Sequence, residues 1–146
     1  MQLIGGDTTQ GPLSITLTAY GLIPTSQSLQ RKGAKPGDLI YITHTVGDAG
    51  LALSFLKKQK DISTEHQEAI LHRLNRPEPR IATGIKLRTI ATSAIDISDG
   101  LAADLGHILK MSGVGATLFV DKIPLSKEIS ATLSQEEAIH LALNAG

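Results

Sequence analysis

The order in which apolar patterns follow one another constrains the fold of this chain more than any other feature. From residue 39 onward, runs typical of strands and runs of helical spacing follow in the order β, α, α, α, β, α, β, α. Such an order is typical of layered domains in which helices cover a sheet. The sequence therefore predicts an α/β (α+β) fold, built as a mixed sheet with helices.

The individual elements are predicted from the spacing of their apolar residues. Strands are predicted from alternation and from β-branched or aromatic side chains, most clearly in GPLSITLTAYGLI, where Leu13, Ile15 and Leu17 alternate with polar residues. Helices are predicted where apolar residues recur every three or four positions. The predicted strands are 11–23, 39–45, 93–97 and 115–120, and the predicted helices are 48–59, 63–76, 80–92, 101–113 and 134–146.

Composition excludes several classes of function. Fourteen basic and fourteen acidic residues give a formal charge of +0, which argues against a general nucleic-acid binder or a protein of anionic membranes. No apolar run approaches the roughly 20 residues that span a bilayer, and no signal peptide is recognisable. The chain has no cysteine, so a disulfide, a zinc-thiolate site and a cysteine nucleophile are excluded. We expect a cytoplasmic protein that binds neither nucleic acid nor membrane.

Residues 24–38 predict a boundary between two structural units. Their sequence, PTSQSLQRKGAKPGD, is rich in turn formers and polar side chains. We place the boundary after residue 32, so that residues 1–32 end one domain and residues 33–146 belong to the next.

The stretch SAIDISDGL places polar side chains at a strand-to-helix turn. Alternation puts Ile95 and Ile97 on one face and Asp96 and Ser98 on the other. Asp99 then lies where a helix begins and where backbone N–H groups point outward. Carboxylates in this position suit Mg²⁺, which prefers oxygen ligands. In the competing interpretation, Ser98 or Asp99 caps the helix, which is worth about 1 kcal/mol, and Asp96 sits on a solvent-facing side of the strand.

Two further segments leave a similar choice open. In GGDTT, Gly6 permits the close approach of a ligand and Asp7 supplies oxygens, but a plain glycine turn also explains the pattern. Arg31 offers a planar donor fork to an anion, although a solvated linker is the simpler explanation. The chain contains no G-x-x-x-x-G-K-[ST] motif, so any ATP is bound without a P-loop.

Four segments taken together resemble one family of enzymes. LIGGDTT, RKGAKPGDLIYIT, RPEPRI and AIDISDGLAADLGHI, in this order, closely resemble the thiamine-monophosphate kinase family, which belongs to the superfamily of aminoimidazole ribonucleotide synthetase and selenophosphate synthetase. The resemblance covers essentially the whole chain. It implies that residues 1–32 are the end of an N-terminal ATP-binding domain, including its last strand. Residues 33–146 are then most of a C-terminal α/β domain that is incomplete at its C-terminal end.

The resemblance also implies a role for each candidate residue. Nucleotide contacts are implied for Gly6, Asp7, Arg31 and Ser98, and Mg²⁺ ligation is implied for Asp7, Asp96 and Asp99. The implied reaction is Mg²⁺-dependent transfer of the γ-phosphoryl group of ATP to thiamine monophosphate, which gives thiamine diphosphate. No protein nucleophile is implied, because Asp96 and Asp99 act by stabilising charge through the metal ion.

The chain also departs from the family pattern. Family members have a large N-terminal region with further aspartate ligands and a dimerising sheet, and an acidic segment after the position of Gly146. Gln10 replaces an arginine that often follows GGDTT. We therefore expect a fragment of a homodimeric parent, inactive by itself. The alternatives are a noncatalytic α/β module that binds nucleotide or packs against a partner, and a sister enzyme of the superfamily that uses ATP on another substrate.

Overall fold

The computed structural model describes residues 2–145, and the regular secondary structure within them is helical. Six α-helices and one short 3₁₀ turn follow one another along this part of the chain. The α-helices are α1 (Asp48–Leu56), α2 (Thr64–Asn75), α3 (Ile81–Leu87), α4 (Leu101–Ser112), α5 (Lys127–Thr132) and α6 (Gln135–Asn144), and the 3₁₀ turn is Val120–Lys122.

Local sequence explains where several of these helices begin and end. At the start of α6, the Ser134 hydroxyl accepts a hydrogen bond from the N–H of Glu137, and the Ser134 N–H donates to the Glu137 carboxylate. Ser126 caps α5 by accepting from the N–H of Ile129 at 3.1 Å. α4 ends at Gly113, whose φ of 67° is a conformation that glycine adopts at little cost.

The larger part of the core lies where α1 and α2 pack against α5 and α6. Its buried members are Leu51, Ala52, Ile62, Ile70, Ile129 and Ala138. Full burial of one large aliphatic side chain contributes about 1.5–3 kcal/mol relative to leaving it exposed. These four helices therefore form the most stable part of the described chain.

A second cluster attaches α4 to α6. Val46, Leu101, Ile123 and Ala142 are its buried members. Ile97, which belongs to the segment before α4, packs against this cluster. The residues that precede α4 are therefore held against the helical core through α6.

A buried carboxylate fixes the starts of α1 and α5 relative to each other. Asp48 is 5% exposed and accepts hydrogen bonds from the hydroxyls of Thr45 and Ser126, each at 2.5 Å. The Arg73 guanidinium of α2 lies 4.0 Å from the same carboxylate. Because a buried charge is costly unless it is paired and hydrogen-bonded, these contacts restrict how the three helices can move.

The predicted mixed sheet is wrong for the part of the chain that the structure describes. No strand occurs within residues 2–145, whereas strands are predicted at 11–23, 39–45, 93–97 and 115–120. A strand exists only where its N–H and C=O groups pair with those of a neighbouring strand, and alternation does not supply that neighbour. In segment 93–97, for example, the N–H of Ala94 donates to the carbonyl of Gln30 at 2.9 Å, but no ladder continues from this bond.

The lack of a neighbouring strand is clearest in the N-terminal segment. Residues 2–28 are all exposed. Leu13 and Leu17, on the apolar face predicted for strand 11–23, are 94% and 88% exposed. The alternating pattern is therefore present without a second layer to cover it.

The predicted helices are confirmed. α1, α2, α4 and α6 lie within the predicted ranges, while the predicted helix 80–92 ends at Leu87 in α3. Residue 146 of the last predicted helix lies outside the described residues. α5 was not predicted, because a helix of six residues is too short to show a periodic pattern. Among residues 2–145, no helix has the length and apolar character needed to cross a membrane.

Candidate functional site

The residues before α4 form an extended segment whose two faces differ. Ile95 and Ile97 are half-buried, whereas Asp96, Ser98 and Asp99 are exposed. The faces predicted from alternation are thus confirmed, although the segment does not belong to a sheet. The structure brings three of the candidate residues together on one exposed stretch.

A carboxylate of α4 holds this stretch from its buried side. Asp104 Oδ2 accepts hydrogen bonds from the N–H of Ser98 at 2.9 Å and from the N–H of Asp99 at 3.1 Å. Asp104 is 4% exposed. Both N–H groups point towards Asp104, so these two amides are not among the outward-pointing donors predicted for the start of the helix. A ligand at this turn meets exposed side chains rather than these two amides.

The capping interpretation of Ser98 and Asp99 is also wrong. The N-cap position of α4 is occupied by Gly100, and no side chain forms a capping hydrogen bond there. Two exposed carboxylates and one hydroxyl therefore stand at the turn without a role in starting the helix. Their exposure also agrees with a solvent-facing position of Asp96, so a ligand-binding role for these residues stays a prediction.

Gly100 lets the turn pack directly against the end of α6. Its φ is 113°, and a Cβ at this position would lie 2.6 Å from the carbonyl oxygen of Leu143 and from the carbonyl carbon of Asn144. Real Cβ atoms essentially never come within 3.0 Å of another heavy atom in this way. The turn that carries Asp99 is therefore supported by Asp104 on one side and by α6 on the other.

Arg31 belongs to a loop that is fixed at the opposite end of α4. Ser112, the last residue of α4, accepts hydrogen bonds from the N–H groups of Gly33 at 3.1 Å and Ala34 at 3.2 Å. Its hydroxyl also lies 3.4 Å from the carbonyl oxygen of Arg31. A helix of 12 residues is about 18 Å long at 1.5 Å per residue. The loop of Arg31 and the turn of Asp99 are therefore anchored at the two ends of one helix.

A second anchor holds the same loop. The Asp38 carboxylate accepts hydrogen bonds from the hydroxyl of Thr92 at 2.6 Å and from the N–H of Lys35 at 2.9 Å. The Thr92 hydrogen bond, followed by that of Lys35, lowers the pKa of Asp38 below its ordinary value. Gly33 passes so close to Thr92 that a Cβ would lie 2.5 Å from the Thr92 carbonyl oxygen. The backbone beside Arg31 therefore has a defined position although its residues are exposed.

Gly6 and Asp7 are not brought to this turn. Both lie in the exposed segment 2–28, and a Cβ placed on Gly6 meets nothing within 4 Å. The Asp7 carboxylate accepts a hydrogen bond from the N–H of the next residue, Thr8, at 2.8 Å. Nothing in the described chain positions these residues for a ligand, so their predicted roles stay predictions.

Asp96 and Asp99 supply part of a ligand set that suits Mg²⁺. Within residues 2–145, no group of three or more His, Cys, Asp or Glu side chains converges on a point. Asp96 and Asp99 supply two exposed carboxylates close together in sequence. Mg²⁺ is commonly held by one or two carboxylates, with waters and substrate phosphates as its other ligands. The two aspartates therefore match part of such a donor set, and Asp7 is not beside them.

Asp104 was not among the residues predicted from the sequence. The residue lies on the apolar stripe of α4, together with Leu101, Leu105 and Ile108. A carboxylate on the face that a helix buries must find hydrogen-bond donors, because an unpaired buried charge is very costly. The available signal was therefore an acidic residue at a buried helical position one turn after a glycine.

Comparison with protein families and known proteins gives consistent matches. Residues 35–146 match the family of AIR synthase related proteins, C-terminal domain. The chain is similar to the thiamine-monophosphate kinase of Salmonella typhimurium (strain LT2), with 49% identity over 147 aligned residues that cover 100% of this chain and 45% of that protein.

Solved structures give the same result. The chain superposes on thiamine-monophosphate kinase from Stenotrophomonas maltophilia K279a with a TM-score of 0.76 and 38% identity, over 82% of this chain and 40% of that one. It superposes on AaThiL complexed with AMPPCP and TMP with a TM-score of 0.71 and 32% identity, over 81% of this chain and 39% of that one. The chain spans less than half the length of each of these relatives.

Proposed function

Since the chain belongs to the family of AIR synthase related proteins, C-terminal domain, we propose that it forms part of a thiamine-phosphate kinase. The resemblance to thiamine-monophosphate kinases that the sequence predicts is confirmed. The observation that carries the proposal is the exposed turn with Asp96, Ser98 and Asp99, in a chain that is 49% identical over its full length to such an enzyme.

The proposed reaction transfers the γ-phosphoryl group of ATP to the phosphate of thiamine monophosphate and yields thiamine diphosphate and ADP. A solved relative binds AMPPCP, an ATP analogue, together with TMP. This pair of ligands corresponds to the donor and the acceptor of the proposed transfer.

The proposed roles follow from the chemistry of each side chain. Asp96 and Asp99 hold Mg²⁺ at the exposed turn, and Ser98 contacts the nucleotide beside it. Bound Mg²⁺ supplies charge neutralisation and alignment of the transferred group. Phosphoryl transfer of this kind depends on positioning and electrostatics and needs no cysteine nucleophile, so the absence of cysteine does not argue against it.

The spacing along α4 supports separate contacts to one extended ligand. The turn of Asp99 and the loop of Arg31 are anchored at opposite ends of this helix. We propose that the turn holds the metal-bound phosphates and that Arg31 contacts a different part of the nucleotide. Gly6 and Asp7 complete the proposed site from the N-terminal segment, with Asp7 as a further Mg²⁺ ligand.

Other parts of the proposed enzyme lie outside the described contacts. We propose that residues 1–32 end an ATP-binding domain, and that their alternating apolar side chains pair with the rest of that domain. The relatives extend well beyond the region matched here, which supports the proposal that this chain alone is inactive. A homodimeric parent and a cytoplasmic location stay predictions.

The direct test uses the full-length protein that carries this chain, incubated with ATP, thiamine monophosphate and Mg²⁺. We expect ATP-dependent formation of thiamine diphosphate, measured by chromatography. Asp96→Asn and Asp99→Asn should each abolish it, because an amide is a neutral and weaker ligand for Mg²⁺.

Asp61→Asn provides the matched control, because Asp61 is an exposed aspartate between α1 and α2. It should retain wild-type activity. Full activity in both the Asp96 and the Asp99 variants would show that the turn is not the metal site.

A second function is favoured by one observation. Because no three metal-binding side chains converge within residues 2–145, the isolated chain could act as a noncatalytic module that binds nucleotide or packs against a partner. Because both proposals predict no turnover by the isolated 146-residue chain, calorimetry of the full-length protein with Mg-ATP and thiamine monophosphate distinguishes the two. Turnover refutes the noncatalytic module, and binding without turnover supports it.

A further inference from the structure

We propose that Asp104 is a positioning residue for the metal-binding turn, a role that rests on the proposed function. Its carboxylate lies on the buried side of the turn, and Asp96 and Asp99 lie on the exposed side. It acts on the ligands through the backbone that carries them.

The hydrogen bonds make Asp104 suited to this role. One oxygen, Oδ2, accepts from two consecutive N–H groups, those of Ser98 and Asp99, at 2.9 and 3.1 Å. Hydrogen bonds to an ionised acceptor are roughly twice as strong as those between neutral groups. Two such bonds from one buried atom fix the backbone at the two residues that carry the proposed nucleotide and metal contacts.

Electrostatics explain why the turn needs this support. Asp96 and Asp99 carry like charges three positions apart in the sequence, and a cation bound by both must hold the two carboxylates closer than their mutual repulsion favours. Without a cation between them, the turn gains free energy by moving the two carboxylates apart. The bonds to Asp104 oppose that movement and keep the ligand positions close to the arrangement that a cation requires.

The consequence is preorganisation of the metal site. Ordering the backbone of a residue costs conformational entropy. In the folded chain the hydrogen bonds to Asp104 order this backbone before the cation binds. Without the hydrogen bonds to Asp104, the turn must be ordered when the cation binds. The affinity for Mg²⁺ then falls, while the chemistry at saturating Mg²⁺ is preserved.

The helix itself does not depend on these two bonds. The N–H of Asp104 donates to the Gly100 carbonyl at 3.1 Å, which closes the first turn of α4 whatever the side chain. Leu101 is buried against α6 in the second core cluster. A variant at Asp104 is therefore expected to keep α4 and lose the fixed turn before it.

The test has two readouts. In the 146-residue chain, hydrogen exchange followed by NMR should show protected amides at Ser98 and Asp99, and Asp104→Ala should remove this protection. In the full-length protein, the same variant should raise the KM for Mg²⁺ by ~10- to 100-fold, the range typical for residues that orient metal ligands. The kcat at saturating Mg²⁺ should remain near wild type.

Asp104→Asn provides the conservative rescue. Its carbonyl oxygen can still accept from both amides, but as a neutral acceptor it forms weaker bonds. Exchange and the KM for Mg²⁺ should therefore lie between those of the wild type and Asp104→Ala. If the alanine variant does not fold, the asparagine variant decides alone, since unchanged exchange or an unchanged KM would overturn the proposal.

Asp48→Asn is the matched control, because Asp48 is a buried carboxylate of similar exposure that contacts α5 and α2 instead of the turn. It should lower stability without changing the KM for Mg²⁺. Persisting protection at Ser98 and Asp99 in Asp104→Ala, or lost protection with an unchanged KM, would overturn the role of Asp104. If the full-length wild type forms no thiamine diphosphate, the proposed function fails separately, and direct calorimetric titration of the same variants with Mg²⁺ still decides the positioning role.

Discussion

Gly100 has a strongly constrained backbone directly beside the turn of Asp99. Its φ of 113° lies in a region that side chains with a Cβ rarely enter, and the carbonyl of Leu143 leaves no space for a methyl group. Neither α6 nor the turn can withdraw easily, because Leu101 and Ala142 are packed together in the same cluster.

Gly100→Ala should therefore destabilise the chain. The strained backbone alone costs about 1–3 kcal/mol, and the contact with Leu143 adds to it. Urea unfolding followed by circular dichroism measures the change. Gly106→Ala is the control, since Gly106 lies inside α4 and a methyl group there would meet no atom within 4 Å; it should stabilise the chain by roughly 0.5–1 kcal/mol. Equal effects of the two substitutions would contradict this account.

Glu137 makes a pH-dependent contribution to stability. The Lys60 ammonium lies 2.5 Å from its carboxylate, and this contact, followed by the hydrogen bonds from Ser134, lowers the pKa of Glu137 from 4.5 to about 2. A carboxyl whose pKa is lower in the folded state stabilises it above the unfolded pKa, and this stabilisation disappears as the pH falls from 4.5 towards 2.

Glu137→Gln should lower stability at neutral pH and have a shrinking effect as the pH falls through that window. The effect is small, because the two side chains are 42% and 48% exposed and solvent screens the pair. Unfolding curves at a series of pH values measure it. Glu65→Gln, at an exposed position in the first turn of α2, is the control; a pH dependence of equal size there would assign the effect to general charge.

Helices and strands differ in how far the sequence alone determines them. α2, α4 and α6 form hydrogen bonds within themselves, so their periodic patterns predicted them correctly. The predicted strands required partners elsewhere, and periodicity holds no information about a partner. The pattern of residues 95–98 still identified which side chains are exposed, because alternation follows from extended backbone whether or not a ladder forms.

The sequence likewise predicted only the part of the candidate site that local sequence determines. Asp96, Ser98 and Asp99 were found because they are neighbours in sequence. Asp104 was missed because its role depends on a hydrogen bond that reaches back across the turn, which no short motif describes. Asp7 needs a tertiary contact that the described chain does not make, so local sequence alone does not place it.

The packing of α2 against α1 depends on buried apolar side chains. Ile70 of α2 is 1% exposed within the main core cluster. Ile70→Ala should cost about 2–5 kcal/mol, because it removes buried methyl groups and leaves a cavity. The control is Ile85→Ala on α3, where the side chain is 52% exposed and the cost should stay within about 0.5 kcal/mol. Chemical unfolding measures the free energy of unfolding of both variants. Similar losses of stability would mean that α3 is packed as tightly as α2.

At the scale of the whole molecule, the chain divides into a helical core and an exposed N-terminal segment. Residues 2–28 contribute no buried side chain, although they carry Leu13, Ile15 and Leu17. Apolar side chains that alternate and meet no partner are typical of a strand whose sheet lies elsewhere, and they also favour aggregation.

Deletion of residues 2–27 should leave the stability of the isolated chain unchanged. The slope of the unfolding free energy against urea depends on the surface that unfolding exposes, and this segment is already exposed. Both the midpoint and the slope should match those of the intact chain, and the shortened chain should aggregate less in light scattering. A clear loss of stability would show that the segment packs against the helices in solution.

The turn of Asp99 and the loop of Arg31 are both anchored on α4. The length of this helix therefore sets the position of one relative to the other. Asp104 holds the turn at one end, and Ser112 holds the loop of Arg31 at the other. Adding or removing one residue between them would shift one anchor by about 1.5 Å and rotate it by about 100° around the helix axis. Substitutions along the exposed face of α4 leave this register intact, but insertions and deletions do not. Residues on the exposed face of α4 can therefore vary, whereas the number of residues between Asp104 and Ser112 cannot.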